Sequence, residues 1–485
     1  MKPASPQRGR VGAFLAIAVS IAIAGMLVHG CTPMHTAGLY RDPSRLSFPS
    51  ITFSPPEPER VVLPNGMVLY LMEDHEVPLI TIHAIIRTGG IFEPADKVGL
   101  AQITGEVMRT GGTAAMGPEE LDRTLEYMGA ILETSIGTES GGASLSVLTK
   151  DLEQGLDLFS QVLRSPAFAP EKVDLARLAM IESIRRQNDD PLAIASREFK
   201  RQVYTDDPRG RVKTIEGVER MTREDLIAFH RSFFFPENIL MGVAGDFERD
   251  RMLEAISKIF GDWEQGSRPI PPYPVPKNDT ERAVVYAPRP LPQSTILMGH
   301  LCCPKNDPDF FPMVVLNDIL GEGFNSRLMR EIRSNQGLAY SVGSFYRGDI
   351  DYGVFGAYAM TKSETTGKVI GLMRDEIGRL VEEGVTPEEL DLAKDSIINN
   401  HIFSFSSTAG LVKQAMALEY DHLSGDYFEG YPERIAAVSM EDIRRVALRY
   451  LKPADAVIVV VGNREGFDIP IEQFGPVKEA DLTIR

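Results

Sequence analysis

Pro170-Glu-Lys-Val-Asp-Leu-Ala-Arg177 recurs in this chain as Pro387-Glu-Glu-Leu-Asp-Leu-Ala-Lys394, 217 residues later. Three further pairs of residues or short segments are separated by the same 217 positions. They are Thr222-Arg-Glu-Asp225 with Ser439-Met-Glu-Asp442, Pro236 with Pro453, and Gly245 with Gly462. Four matches at one offset are hard to obtain by chance. The sequence therefore predicts two copies of one unit in tandem.

Each landmark of the repeat has a physical interpretation. Pro170 and Pro387 suit the first turn of a helix, where a missing N–H costs nothing. Thr222 and Ser439 are good helix N-caps, with an acid three residues further on. An apolar run that ends at a glycine follows each capped helix and is typical of a buried strand. Each unit thus combines strands with several helices.

The first copy gives the clearest local signals. Asn65-Gly66 between two apolar runs predicts a β-hairpin, and residues 79–87 and 143–148 are further strand candidates. Helical patterns cover residues 98–110, 118–129, 150–163, 171–187 and 192–203. The predicted fold class is α+β, with two tandem homologous α/β sandwich domains.

Composition changes suggest where the domains begin and end. Prolines are frequent in residues 32–58 and again between Arg268 and Pro276, which is typical of extended linkers. The predicted segments are a signal peptide (1–30), a proline-rich tether (31–58), an N-terminal domain (59–265), a linker (266–284), a C-terminal domain (285–470) and a tail (471–485).

The N-terminal segment has the pattern of an export signal. Basic residues come first, and an apolar stretch at residues 11–28 follows, as in a secretory signal. Cys31, directly after Gly30, resembles the lipidated cysteine of a bacterial lipoprotein. Since Thr32 is not an Asp, the outer membrane is the expected destination in a cell with two membranes. The alternatives are an uncleaved anchor helix or a simple signal. Each places the body outside the cytoplasm.

Charge and cysteine content exclude some function classes. The net charge of −17 argues against nucleic-acid binding, which requires Lys and Arg to neutralise phosphates. The three cysteines form no metal-type spacing. Cys302 and Cys303 are expected to point to opposite faces of one strand as core or interface thiols. The chain contains no Gly-x-Ser-x-Gly elbow and no phosphate-binding loop.

Four short blocks carry a family resemblance. They are Leu63-Pro-Asn-Gly66, Gly99-Leu-Ala101, Gly111-Gly-Thr113 and a longer block from Ser326-Arg-Leu328 through Glu331-Ile-Arg333 to Gly337-Leu-Ala-Tyr-Ser341. With them the chain resembles the insulinase/pitrilysin family of zinc peptidases, in its processing-peptidase-like branch. The resemblance covers nearly all of residues 58–465 and implies a clamshell of two domains around a peptide chamber.

The resemblance implies an active site, but this chain lacks the residues that would form it at the positions where the family carries them. The family carries His-x-x-Glu-His on the helix after Gly-Leu-Ala, where two histidines one turn apart hold zinc and the glutamate acts on the bound water. Here Gln102, Gly105 and Glu106 stand in place of the first His, the Glu and the second His. The distal ligand position falls on or near Glu182. We expect no metal or cofactor in this chain, and interpret Glu106 and Glu182 as structural or surface acids.

The second copy keeps the residues that the resemblance assigns to substrate. Arg333 and Tyr340 match an Arg and a Tyr, seven residues apart, that face the substrate in the family. Both offer donors suited to a peptide carbonyl or a developing oxyanion. Local signals place Arg333 near the end of a short helix from Asn325 to Gly337 and Tyr340 on the following strand. Their simpler interpretation is a helix-dipole contact and a half-buried strand residue. Gly321-Glu-Gly323 resembles a glycine-bearing loop that some members use near substrate.

Two functional hypotheses follow from the resemblance. In the first, the chain is the non-zinc subunit of a heterodimeric cell-envelope zinc peptidase. It binds peptides with Arg333 and Tyr340, and a partner subunit carries His-x-x-Glu-His and the zinc. In the second, it is a structural or peptide-binding module without a part in catalysis. In both, a lipid on Cys31 is expected to anchor it to the membrane.

Overall fold

The computed structural model describes residues 56–266, 269–277 and 282–484, which form one compact unit. The predictions for the signal segment 1–30 and for Cys31 lie outside these residues. Among the helices that the structure describes, none is long and apolar enough to cross a membrane.

The first half of the described chain builds a mixed six-stranded sheet in the order β1-β2-β6-β3-β5-β4. Its strands are β1 (Glu59–Val62), β2 (Val68–Glu73), β3 (Leu79–Ile86), β4 (Ile131–Ile136), β5 (Gly141–Leu148) and β6 (Ile239–Gly245). The predicted hairpin at Asn65-Gly66 joins β1 to β2 as an antiparallel pair. Gly66 has a φ of 89°, which favours glycine at this turn.

The second half builds another six-stranded sheet, in the order β12-β7-β11-β8-β10-β9. Its strands are β7 (Val284–Pro288), β8 (Gln293–Cys302), β9 (Ala339–Gly348), β10 (Gly353–Lys362), β11 (Val457–Gly462) and β12 (Val477–Glu479). Five strands match those of the first sheet in order and in direction. The matching strands include one parallel pair, which is β2–β6 in the first sheet and β7–β11 in the second. The predicted fold class, two tandem α+β domains, is confirmed.

Helices cover each sheet and bury a separate apolar core. In the first half they are α1 (Leu100–Thr110), α2 (Pro118–Met128), α3 (Leu152–Arg164), α4 (Pro170–Arg185), α5 (Pro191–Val203), α6 (Ile215–Glu219), α7 (Arg223–Phe233) and α8 (Arg249–Phe260). In the second half they are α9 (Phe310–Asn317), α10 (Thr366–Glu383), α11 (Pro387–His401), α12 (Thr408–Tyr420), α13 (Tyr431–Ala437) and α14 (Met440–Tyr450).

The repeated sequence landmarks occupy equivalent places in the two halves. Pro170 and Pro387 are the first residues of α4 and α11. Thr222 and Ser439 each form a complete capping box with the acid three residues further on. These caps satisfy backbone N–H groups that a helix start leaves unpaired. The helix starts that the sequence predicted are therefore real and have the predicted cause.

The two halves are held together by an exchange of helices. Helix α5 of the first half packs on the second sheet, where Ile194 and Phe199 join a buried cluster with Val459. Helix α12 of the second half packs on the first sheet through Val412 and Met416. Each half thus completes the core of the other. The apolar area buried in this way ties the halves into one unit.

A buried polar cluster adds to this junction. Arg209, whose side chain is 4% exposed, donates to Glu139 at 2.7 Å and to Asp207 at 2.9 Å. Its guanidinium also lies over the ring of Tyr352, 4.6 Å from the centroid, and Nη1 donates to the carbonyl of Pro274. Glu139 follows β4, Tyr352 precedes β10, and Pro274 belongs to the linker. One guanidinium therefore joins both halves and the linker.

Stability is expected to fall by about 1–2 kcal/mol between pH 5.5 and pH 8 because of Glu139. Burial raises the pKa of Glu139 to about 7, the carboxyl of Asp349 adds to this effect, and Arg209 opposes it. The folded state therefore holds a proton that the unfolded chain has released. That stabilisation is fully present below the ordinary glutamate pKa and is lost as pH rises through 7.

The measurement is urea unfolding at both pH values for the wild type and for Glu139→Gln, which cannot titrate. The difference in unfolding free energy between the two proteins should change with pH by the stated amount. A difference that stays constant would mean that Glu139 ionises normally in the folded protein.

The cysteine prediction is partly wrong. Strand β8 ends at Cys302, so Cys303 lies beyond the strand and the alternation of side chains does not extend to it. The two sulfur atoms are 4.0 Å apart, and Cys303 also contacts the hydroxyl of Tyr346 at 3.2 Å. Both thiols are free, and Cys303 is buried in the core as expected.

Candidate functional site

Helix α1 begins where the sequence predicts it and carries the former zinc-motif positions. Gly99 precedes it with a φ of 104°, a conformation that other residues adopt only with strain. The buried carboxylate of Glu93 accepts hydrogen bonds from the backbone N–H groups of Gly99 and Ala101, at 2.9 and 3.1 Å. A charged cap of this kind stabilises the helix N-terminus. The Gly99-Leu-Ala101 block therefore has a structural role, because it forms the capped start of α1.

Gln102 lies on the exposed side of α1. Its side-chain oxygen accepts a hydrogen bond from the ammonium group of Lys213. Burial lowers the pKa of Lys213, while Glu93 opposes that shift. An amide oxygen held by a cation is a poor metal ligand, since the cation takes up the lone pair and repels a second positive charge.

Gly105 lies at the contact between α1 and the edge strand β4. A Cβ atom at this position would come within 2.3 Å of the backbone nitrogen of Ile136 and 2.7 Å of the carbonyl carbon of Ser135. The hydroxyl of Thr134 donates to the carbonyl oxygen of Gly105 at 2.6 Å. The helix and the strand are therefore too close to admit any side chain at position 105.

The two acids of the vestigial site are both exposed. Glu106 is one turn after Gln102 on α1, and Glu182 is near the end of α4. Glu182 forms an ion pair with Arg185 at 2.7 Å on its own helix. Across the described ranges, no three His, Cys, Asp or Glu side chains are grouped in a way that could hold a metal. A neutral amide, a glycine and two carboxylates do not fit a catalytic zinc ion, which requires three nitrogen, sulfur or carboxylate ligands from the protein.

Strand β4 forms one edge of the first sheet beside α1. It pairs with β5 on one side only, and no strand among the described residues pairs with its other side. Ile131 at its start is 62% exposed. A free strand edge presents unpaired N–H and C=O groups to which an extended peptide can add. Sequence reasoning missed this strand, although Ile131-Leu-Glu-Thr-Ser-Ile136 alternates as a half-buried strand should.

Arg333 and Tyr340 lie at and just before β9, the edge strand of the second sheet that corresponds to β4 in the first. Arg333 belongs to a π-helical segment, Met329–Asn335, and Tyr340 is the second residue of the edge strand β9. Gly337, with a φ of 63°, ends the helical segment between them. The predicted short helix is thus π-helical. π-Helical turns are rare and occur often at functional sites.

Neither side chain is buried, and neither forms an ion pair within the described chain. Tyr340 is 81% exposed. The guanidinium of Arg333 is exposed and contacts the sulfur of Met329 at 3.6 Å, and no carboxylate of the described chain pairs with it. The simpler interpretation of Tyr340 as a half-buried strand residue is therefore wrong. Arg333 does lie in the last turn of its segment, where its charge favours the helix dipole.

In the loop Gly321-Glu-Gly323, packing explains why position 321 is a glycine. Asp318–Glu322 is a second π-helical segment, which continues helix α9. A Cβ atom at Gly321 would come within 2.2 Å of the backbone nitrogen of Ser344 in β9. Gly321 is therefore required for close contact with the strand, whatever the loop does for a ligand.

The geometry defines a class of protein. Two tandem domains of the zinc-peptidase type lie side by side, the zinc helix of the first lacks its ligands, and the second presents an exposed Arg and Tyr.

Comparisons with known proteins agree with this class. The family model described as Insulinase (Peptidase family M16) matches residues 69–212, and the one described as Peptidase M16 inactive domain matches residues 220–397. The chain belongs to the insulinase family, peptidase family M16.

Relatives and solved structures of this family span most of the chain. An uncharacterized zinc protease of Streptomyces coelicolor is 26% identical over 356 residues, which are 72% of this chain and 78% of the relative. The non-peptidase homolog YmxG of Helicobacter pylori is 23% identical over 406 residues, 81% of this chain and 91% of the relative. The crystal structure of a peptidase M16 inactive domain from Pseudomonas fluorescens superposes with a TM-score of 0.78 at 22% identity, covering 84% of this chain and 98% of that one.

Proposed function

We propose that the chain is a non-catalytic, peptide-binding subunit of a heterodimeric zinc peptidase in the cell envelope. The observation that carries the proposal is the pair Arg333 and Tyr340, two exposed polar side chains that no ion pair within the described chain occupies. In a chamber shared with a zinc-bearing partner, their N–H and O–H donors would bind the peptide carbonyl at which the partner acts. Such donors stabilise the negative charge that develops on the oxygen in the transition state.

Other features support the absence of catalysis in this chain alone. The residues at the zinc-motif positions do not fit a zinc ion, and Gly105 leaves no room for the general base. The match to an M16 inactive domain and the similarity to a protein named a non-peptidase homolog point the same way. The cell-envelope location rests on the signal segment and Cys31, and the partner's His-x-x-Glu-His motif rests on the family resemblance.

The second candidate is a structural or peptide-binding module of the same fold without a catalytic partner. The free edge of β4 favours peptide binding in this case too, because a strand can add there without any metal. The two candidates differ in what co-purifies with the chain and in whether Arg333 and Tyr340 affect hydrolysis.

The first experiment is affinity purification of the tagged chain from its own cells, with identification of the proteins that co-elute. A stoichiometric homologue with His-x-x-Glu-His supports the subunit role. Recovery of the chain alone, or with an assembly that has no peptidase, favours the module.

Arg333→Ala and Tyr340→Phe are expected to lower kcat of the assembled pair on an unfolded peptide by about 100-fold each, because each removes a donor from the developing oxyanion. Arg123→Ala and Tyr127→Phe on α2 are matched controls, since they alter an exposed Arg and an exposed Tyr away from β9. The measurement is steady-state hydrolysis of one peptide by each purified pair. Unchanged kcat in both β9-region variants would contradict the proposed role.

A further inference from the structure

Two thiols lie together where strand β8 ends in the second half. The sulfur atoms of Cys302 and Cys303 are 4.0 Å apart, and neither belongs to a disulfide. Inside a strand, two adjacent side chains would point to opposite faces of the sheet. Because β8 stops at Cys302, that alternation ends there, and the two sulfur atoms can lie side by side.

The surrounding structure holds Cys303 in place. The hydroxyl of Tyr346 donates a hydrogen bond to the carbonyl of Cys303 at 2.9 Å and lies 3.2 Å from its sulfur. In the neighbouring strand β10, a Cβ atom at Gly353 would come within 1.9 Å of the same carbonyl oxygen, so the two backbones are in close contact. Cys303 is 2% exposed, whereas Cys302 is only half-buried. An ion can therefore reach the pair from the side of Cys302.

A disulfide does not suit this pair. No peptide bond in the described parts of the chain is cis, and a trans peptide places neighbouring Cα atoms about 3.8 Å apart. Protein disulfides usually join Cα atoms that are about 4.4–6.8 Å apart. A bond between the sulfur atoms of Cys302 and Cys303 would therefore strain the backbone. The pair is better suited to sharing one ligand between two sulfur atoms.

The spacing of the sulfur atoms fits a metal ion between them. A thiolate binds a metal ion at about 2.3 Å, so two thiolates on one ion lie no more than about 4.6 Å apart. The observed 4.0 Å is within that limit. Within the described ranges, no third His, Cys, Asp or Glu completes a metal-binding group. A zinc ion, which takes three or four protein ligands, does not fit, whereas the soft ion Cu(I) accepts two thiolates.

We propose that Cys302 and Cys303 form a two-thiolate site for Cu(I). On binding, each thiol releases its proton to solvent and each sulfur forms one bond to the ion, with no change of oxidation state. The contact from Tyr346 orients the sulfur of Cys303, as outer contacts of metal ligands do. The expectation of no metal rested on the zinc motif and on cysteine spacing. Neither registers adjacent thiols that the end of a strand brings together.

The test measures Cu(I) binding to the purified, reduced full chain under nitrogen, with bicinchoninate as the competing chelator. The wild type is expected to bind one Cu(I) per chain. Cys302→Ser and Cys303→Ala should each weaken binding by more than about 100-fold, because loss of a direct ligand costs more than loss of a supporting contact. Cys31→Ser is the matched control, because it removes the remaining cysteine of the chain. It should leave the affinity unchanged.

X-ray absorption at the copper edge of the loaded wild type tests the geometry without any substitution. The ion should have two sulfur neighbours at about 2.3 Å. An excess of Zn(II) should not displace it, because the pair offers too few ligands for zinc. This measurement decides the question even if a cysteine variant fails to fold.

The site is overturned if the wild type binds no Cu(I), or if both cysteine variants bind it as tightly as the wild type does. Loss of binding in Cys31→Ser alone would place the ion at Cys31 and refute the pair. A disulfide between Cys302 and Cys303 in the protein as isolated would also refute it, because no thiolate would be left for the metal. The proposed peptide binding involves neither cysteine, so its test is independent of this one.

Discussion

Gly105→Ala is expected to destabilise the protein by about 1–3 kcal/mol, a cost typical of overpacking at a rigid contact. Its added Cβ would meet the backbone of Ser135 and Ile136 at 2.3–2.7 Å, and a backbone cannot turn aside as a flexible side chain can. Helix α1 would have to move off strand β4 and lose the hydrogen bond between Thr134 and the carbonyl of Gly105. The measurement is urea unfolding followed by circular dichroism.

Gly371→Ala is the matched control for this prediction. Gly371 is inside helix α10, and nothing lies within 4 Å of the place where its Cβ would be. Alanine there should stabilise the protein by about 0.5–1 kcal/mol, because glycine costs more backbone entropy in a helix. Equal effects of the two substitutions would contradict the close contact at Gly105.

The close contact between Gly105 and β4 also affects whether the zinc motif could be restored by substitution. Replacing Gln102, Gly105 and Glu106 with His, Glu and His would restore the family motif in sequence. The glutamate at position 105 would still collide with β4. Reversion of the motif alone should therefore yield an unstable protein rather than an active peptidase.

Arg209→Ala is expected to cost about 3–5 kcal/mol, as is usual when one partner of a buried ion pair is removed. The substitution leaves the buried Asp207 and the partly buried Glu139 without their cation and removes the bond to Pro274. Because Arg209 joins both halves and the linker, the loss should also loosen the junction. Urea unfolding measures the first effect, and limited proteolysis of the linker near residue 270 measures the second.

Arg185→Ala is the control for Arg209. Its ion pair with Glu182 is on the surface, with both side chains more than half exposed, and such pairs contribute about 0–1 kcal/mol. A cost below about 1 kcal/mol for Arg209→Ala as well would show that the junction is held by the exchanged helices alone.

Much of the local structure follows from the sequence. The starts of α4, α11, α7 and α14 were predicted from prolines and capping boxes, and the strands near residues 79 and 239 from apolar runs. These signals act between residues a few positions apart, so the chain specifies them without tertiary contacts. The absence of a complete zinc motif is equally a property of the sequence.

The site could be predicted only in part. The residue types at positions 102, 105, 106, 333 and 340 are visible in the sequence, but their surroundings are not. The bond from Lys213 to Gln102 joins residues 111 positions apart. The contact between Gly105 and the backbone of Ser135 and Ile136 depends on where α1 packs against β4. No pattern in the sequence shows either feature, because each depends on contacts between distant segments.

The sequence by itself determined that this chain has two tandem α+β units, that its zinc motif is degenerate, and that Arg333 and Tyr340 follow one another across a helix–strand junction. Local propensities, caps and side-chain chemistry suffice for these conclusions. Only the tertiary structure decided that α5 and α12 are exchanged between the halves, that Gly105 lies against β4, and that Arg209 joins the two halves. These features depend on which surfaces meet after folding. Burial and close packing decide which surfaces meet, and both act between segments that are far apart in the chain.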